Sequence, residues 1–224
     1  MNRLASLRRA VAEMTCVLGL VAGLATAPAM AAAPVPVRLD AGQQADLARI
    51  ETYLNDLTTL DSKFVQLSQD GFVEGRLRLS RPGDMRIDYE PPVPVEIVAS
   101  GFLVMYYDRE LGQTSYLPVS ETPAYFLLRE RIDLTDGLTV TKFEREASIL
   151  RITLVETDNP DSGRITIAFE DRPLRLVKWQ VVDATGTVID VALIDPRFGV
   201  AFDNAGDLFS TVDPNLGKRN PNRE

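Results

Sequence analysis

The sequence predicts a mainly β (α+β) domain in which an antiparallel sheet is covered by helix, and three observations predict it. Between Asp70 and Asp108 short β-like runs follow one another, each closed by a turn signal. One amphipathic helical stretch precedes them. From residue 138 onward, further alternating runs repeat the pattern between turn-forming clusters. No repeat or second domain is legible, and 224 residues suffice for a sizeable single core.

Residues 1–31 read as a secretory signal peptide. Arg3, Arg8 and Arg9 come first, an apolar run from Thr15 to Ala27 follows, and Ala29-Met30-Ala31 is an A-x-A-like site, with cleavage expected after Ala31. The run is too short to span a bilayer. Cys16, the only cysteine, lies in this leader without a lipobox, so the mature chain is expected to have neither disulfide nor lipid anchor. The leader holds Arg3, Arg8, Arg9 and Glu13, so its removal takes the formal charge from −8 to −10. So acidic a chain is expected to be soluble and repelled by anionic surfaces, with no nucleic-acid partner. A monomer is expected. Arg76, Arg78, Arg81 and Arg86 form a local basic exception, read as a solvated sheet face.

Residues 32–39, rich in Pro, Ala and Val, are expected to be a flexible lead-in. Asp40 then caps a helix, with Gln43 completing a capping box, and Leu47, Ile50, Leu54 and Leu57 place an apolar stripe on a helix over 41–58. That stripe must cover something, and an open sheet face is the candidate. Leu60 to Ser68 starts the strands. Asp70-Gly71 precedes Phe72 to Ser80, Arg81-Pro82-Gly83-Asp84 precedes Met85 to Tyr89, Pro91-Pro92 precedes Val95 to Ser100, and Ser100-Gly101 joins it to Phe102–Tyr107. After a hairpin loop, Thr114 to Pro118 is a short strand. Residues 121–128 then read as a short helix, with Thr122 as cap and Pro123 in the first position. Strands are expected again at 138–145, 149–156, 164–169, 174–182 and 187–193. Trp179 is expected in their wall. Leu208 to Val212 reads as a closing strand, and the tail beyond residue 214 as disordered.

Period 2 places Met85, Ile87 and Tyr89 on one side of their strand and Leu103, Met105 and Tyr107 on one side of theirs. Two methionines suit a deformable binding surface, though the pattern alone favours ordinary β-sandwich core. Chemistry is restricted by what is missing. The chain has no histidine and no mature cysteine, which removes His-based nucleophile and metal sites and thiol chemistry. It contains no nucleotide-binding glycine fingerprint. Residues 203–207 lack calcium-loop spacing and read as a turn. Carboxylates are plentiful but nothing pairs them, so neither an enzyme nor a metal or cofactor is expected.

Phe64-Val65-Gln66, Asp70-Gly71, Gly75 with Leu77 and Leu79, Arg81-Pro82-Gly83, Arg86, Tyr89, Pro92, Gly101 and Tyr107-Asp108 together resemble the LolA family, the periplasmic carriers of outer-membrane lipoproteins. The resemblance runs roughly from Leu47 to Pro214, within a domain at 40–214. It implies a curved antiparallel sheet forming an incomplete half-barrel, with helices as a lid over an apolar cavity. It also implies a periplasmic carrier that takes lipoprotein acyl chains released from the inner membrane and delivers them to the outer membrane. The cavity wall would comprise Met85, Ile87, Tyr89, Leu103, Met105, Tyr107, Leu127 and Leu128. Arg81 would hold the lid through its backbone carbonyls, with Pro123 and Phe126 in the moving part; capping the turn before Pro82 is the plainer role for that arginine. The implied partners are an inner-membrane ATP-driven complex of LolCDE type and an outer-membrane acceptor of LolB type. A carrier of free lipid or glycolipid, or a lipid-sensing regulator on the same half-barrel, are the alternatives. Met85 stands where the family often has an aromatic, which makes the wall more pliable.

Overall fold

In the structure, a computed structural model, residues 33–216 are described; the expected leader and the tail at 217–224 lie outside them. Eleven strands form one antiparallel sheet: β1 (Thr59–Ser68), β2 (Gly71–Ser80), β3 (Asp84–Tyr89), β4 (Val95–Ser100), β5 (Leu103–Asp108), β6 (Gln113–Pro118), β7 (Leu138–Glu146), β8 (Ile149–Glu156), β9 (Gly163–Glu170), β10 (Arg175–Asp183) and β11 (Val188–Phe198). Their order is β6-β5-β4-β3-β2-β1-β11-β10-β9-β8-β7, so the first and last strands of the chain meet in the middle and β6 and β7 are the edges. The sheet does not close. It curves, because residues of both arms, Met85, Ala99 and Val104 on one and Leu150, Ile152 and Phe169 on the other, belong to a single buried cluster.

Helix α1 (Ala41–Asp56) crosses the concave side. Its start is fixed as the sequence dictates: Gln43 N donates to Asp40 Oδ1 at 2.8 Å and Asp40 N donates to Gln43 Oε1 at 3.0 Å. Ile50 and Leu54 are fully buried beneath it. The helix stops at Asp56, two residues short of the expected end, because Leu57 is already extended. The lead-in is docked rather than loose: Val37 N donates to Val140 O at 2.9 Å, against the edge strand β7, and Val37 and Leu39 pack on the core.

Gly75 shows how closely the wall is fitted. It lies directly opposite Phe64 on β1, and a Cβ placed there would sit 2.6 Å from the Phe64 ring and 2.5 Å from Asp88 O. Only a residue without a side chain lets the aromatic lie flat over the strand.

Two expected elements differ. The short helix α2 is Tyr125–Leu128, preceded by a 3-10 turn at Val119–Glu121; Thr122 closes that turn, its Oγ1 donating to Val119 O, and Pro123 lies outside the helix. The expected closing strand at 208–212 is absent. A single helical turn, α3 (Ala205–Leu208), leads into an irregular strap over the outer face of the sheet. Arg86 Nη1 donates to Leu208 O at 3.2 Å and Tyr116 Oη to Thr211 O at 3.0 Å, while Thr114 Oγ1 donates to Asp213 at 2.9 Å and Asn215 Nδ2 to Gly112 O at 2.9 Å. Side-chain bonds of this kind replace the ladder a twelfth strand would have made.

Candidate functional site

The strand register decides which side chains face the covered side. Met85 pairs with Leu79 and Ala99, Ile87 with Leu77 and Ile97, and Gly75 with Tyr89, so Met85, Ile87 and Tyr89 lie on the concave face. The two-residue hairpin between β4 and β5 pairs Ser100 with Leu103, which makes Val104 the partner of Ala99 and Tyr106 the partner of Ile97. Val104 and Tyr106 therefore continue the concave wall. Leu103, Met105 and Tyr107 face the other way, a correction to the wall expected from the sequence. A one-residue change of parity moves a whole strand's side chains to the opposite face, and the pattern in β5, apolar at nearly every position, hides that choice.

Met105 and Val98 are 1% and 0% exposed although they lie outside the main core, and the strap explains it. Arg86, Val98, Met105 and Tyr116 form one row across β3 to β6. The strap hydrogen-bonds to both ends of that row through the carbonyls of Leu208 and Thr211, and between those two anchors Phe209 is 3% exposed and edge-on to Phe202.

The concave face is graded. Toward α1, Leu60, Leu79, Ala99, Leu150, Ile152 and Phe169 are buried completely or nearly so. Toward the far end Ile87, Tyr89, Ile97, Tyr106, Trp179 and Ile189 are only half-buried. Tyr89 Oη donates to Gln66 Oε1 at 2.9 Å, and its ring meets Phe64 edge-on at 5.5 Å. Burial pushes the Tyr89 phenol up to about 12. Trp179 joins this wall because the bulge at Val177 lets Leu176 and Trp179 share a side, while Val177 lines a shallow polar depression of about 660 Å³ on the outer face.

The buried end is closed by a cover in two connected parts. Leu128 and Phe126 are buried against the core and Leu127 half-buried, whereas Pro123 is exposed. The chain after α2 then lies on α1: Asn55 Nδ2 donates to Ile132 O at 2.7 Å, Ile132 N donates to Asn55 Oδ1 at 2.9 Å, and Leu134 N donates to Glu51 Oε2 at 3.0 Å. Ile132 and Leu134 are wholly buried there. None of these four was legible as a site residue, although Glu51 and Asn55 stand four apart on one helix face and Ile132 and Leu134 alternate.

Arg81 joins both parts. Its Nη1 donates to Leu54 O and, at 3.2 Å, to Leu57 O, while Nη2 donates to Arg129 O at 3.0 Å. The last turn of α1 carries no basic residue of its own, so this guanidinium supplies the positive charge that the helix C-terminus favours. Burial lowers the Arg81 pKa from its ordinary value, and Nε is buried with no partner. Beside it Gly83 N donates to Leu128 O at 3.0 Å. At the other end of α1, Arg49 and Arg145 each bridge Asp46 and Asp171, fastening the helix to β7 and the turn after β9.

The remaining arginines of the basic cluster are neutralised on the outer face. Arg76 pairs with Asp61, and Arg78 and Arg86 with Asp88. Among the described residues no group of His, Cys, Asp or Glu could hold a metal ion, and no helix is long and apolar enough to cross a membrane.

These features define a class: an open half-barrel whose apolar concave face is shut by a helix and a short lid tied together by one arginine. The chain belongs to the LolA family; the family model described as outer membrane lipoprotein carrier protein LolA matches residues 55–210. An outer-membrane lipoprotein carrier protein of Chromobacterium violaceum is 32% identical over 193 residues, covering 82% of this chain and 92% of the relative. One from Methylococcus capsulatus is 29% identical over 169 residues, covering 70% and 79%. An uncharacterised protein of Rickettsia prowazekii is 26% identical over 131 residues, covering 58% of this chain and 62% of that protein's own length.

Proposed function

We propose that this chain is a periplasmic carrier, not an enzyme, that shelters the acyl chains of lipoproteins released from the inner membrane and delivers them to the outer membrane. The observation that carries the reading is Arg81, whose single side chain ties the end of α1 to the segment leaving α2 over an apolar sheet face. A guanidinium can satisfy several carbonyls at once, and cargo that lifts the cover need break only that set. Each methylene exposed to water costs about 0.8 kcal/mol, so an acyl anchor needs such a shelter to cross an aqueous space. The wall would be formed by Met85, Ile87, Tyr89, Ile97, Val104 and Tyr106, with Leu127, Leu128 and Phe126 withdrawing as the cover opens. An inner-membrane complex of LolCDE type would load the chain, and a LolB-type acceptor or the membrane itself would receive the cargo. The leader at 1–31 fits this localisation.

Native mass spectrometry of the protein purified from its own periplasm tests the reading. A bound mass equal to a lipoprotein supports it. Phospholipid or glycolipid alone would move the function to a free-lipid carrier, and absence of any ligand with a stoichiometric protein partner would favour a regulator.

A further inference from the structure

The far end of the concave wall carries a group of three neutral hydrogen-bonding side chains among apolar ones, with Ser115 beside them and Asp108 at its rim. Gln66 on β1, Tyr89 on β3 and Tyr106 on β5 all face inward by register. The Tyr89 hydroxyl spends its proton on Gln66 Oε1 at 2.9 Å. Among the described residues Gln66 Nε2 and the Tyr106 hydroxyl have no hydrogen-bond partner, so donors are left free on the face that also carries Ile87 and Ile97. Both phenols are held above their ordinary pKa by burial first, and second by Tyr106 in the case of Tyr89 and by Asp108 in the case of Tyr106, and so keep their protons at neutral pH.

Positive charge is missing from this end among the described strands. Among the described strands Arg145 is the only Lys or Arg in register with the concave face, and it is engaged with Asp46 and Asp171 at the opposite end. Asp108, the partner of Val95, shares the inward face with Tyr106, and its carboxylate accepts from Glu110 N and Leu111 N at 2.9 Å each. An anion brought here would be stripped of water, meet no cation and face a carboxylate. A carbonyl oxygen of an ester or amide would meet donors and bring no charge.

Resting on the acyl-chain reading above, we propose that Gln66, Tyr89 and Tyr106 form a subsite for the neutral ester or amide carbonyl at the head of a bound acyl chain, so that the wall accepts acyl esters and amides and rejects free fatty acids. The chain tail then points toward Met85 and the cover, where all polar side chains are absent from the wall rows of Leu79, Met85 and Ala99. A glyceryl-linked anchor meets this requirement; a fatty-acid carboxylate or a lipid phosphate in the same place does not.

The test uses the mature chain with two probes of equal tail length, monopalmitoylglycerol and palmitate, at mildly alkaline pH where palmitate is ionised. Trp179, the only tryptophan, sits in this wall and reports binding by its fluorescence. The glycerol ester should bind at least tenfold more tightly. Tyr106→Phe, which removes a hydroxyl with no protein partner, should weaken the ester by roughly 2- to 10-fold, the range of one hydrogen bond, and leave palmitate unchanged. The double variant Gln66→Leu/Tyr89→Phe removes both ends of the existing bond together and should act in the same direction. Equal affinity for both probes, or equal effects of Tyr106→Phe on both, overturns the subsite while leaving the acyl-chain reading standing. Binding of neither probe overturns both.

Discussion

Arg81 Nη2 donates to the carbonyl of Arg129 at 3.0 Å while Nη1 of the same side chain reaches the last turn of α1. One residue of the β2–β3 turn thus holds together two segments far apart in sequence. Hydrogen bonds to a charged group are worth about 1.5–3 kcal/mol each, and removing the donor leaves three carbonyls unpaired. Arg81→Leu is expected to load lipoprotein at least as readily as the unaltered chain but to pass it on about tenfold more slowly, on the account that a ligand not opposed by a closing cover is held longer. Separate loading and transfer assays check it. Arg81→Lys should resemble Arg81→Leu, because an ammonium cannot copy the fork.

Gly75→Ala should destabilise the fold. The added methyl would meet Asp88 O at 2.5 Å and the Phe64 ring at 2.6 Å, and one of those contacts is backbone that cannot turn away. Overpacking of this kind costs about 1–3 kcal/mol, read as a lower urea midpoint with an unchanged slope.

Asp171 gives a pH dependence with a definite sign. Its bonds to Arg145 and then Arg49 hold its carboxyl below the ordinary 3.8 despite its burial. A depressed folded value contributes stability that is present above the unfolded value of about 3.9 and lost as pH falls through the folded one. Asp171→Asn should therefore lower the melting temperature by several degrees at neutral pH. The gap should stay constant down to about pH 5 and narrow below about pH 4. Asp61, held low by Arg76 and Arg197, makes the unaltered chain lose stability in the same acid range, so the comparison between the two proteins isolates Asp171.

Phe209→Ala should uncover Val98 and Met105. Truncating a buried phenylalanine costs about 3–5 kcal/mol, and here the loss falls on the outer face. The expected signature is lower denaturant stability together with new binding of a hydrophobic dye, with acyl-ligand affinity reduced less than twofold.

Local rules carried the first half of the chain. The capping box at Asp40 and Gln43, the turn at Arg81-Pro82-Gly83 and the two-residue joint at Gly101 fix element ends within a residue or two, and period 2 gives Met85, Ile87 and Tyr89 a common face. Tertiary relationships were the part that stayed hidden. Which face of β5 turns inward depends on the pairing of Ser100 with Leu103, and every residue from Leu103 to Tyr107 is apolar enough for either side. The strap failed as an expected strand because Leu208 to Val212 has strand composition but answers to side chains of Arg86 and Tyr116 rather than to a backbone edge. Asn55, Glu51, Ile132 and Leu134 matter through contacts that span about eighty positions of the chain, which no window of sequence reveals.

The central claim is that the cover formed by α1 and the segment after α2 must lift before the concave face can take an acyl chain. The Asn55 side chain bonds the Ile132 backbone across that seam, and the described residues contain no cysteine, so oxidation of an Asn55→Cys/Ile132→Cys pair, with Cys16→Ala as background, is designed to staple it and reductant to release it. The measurement is uptake of lipoprotein from inner-membrane vesicles by the oxidised protein, before and after reduction. The account predicts negligible uptake while the bond is closed and full uptake once it is broken. Equal uptake in both states would contradict it.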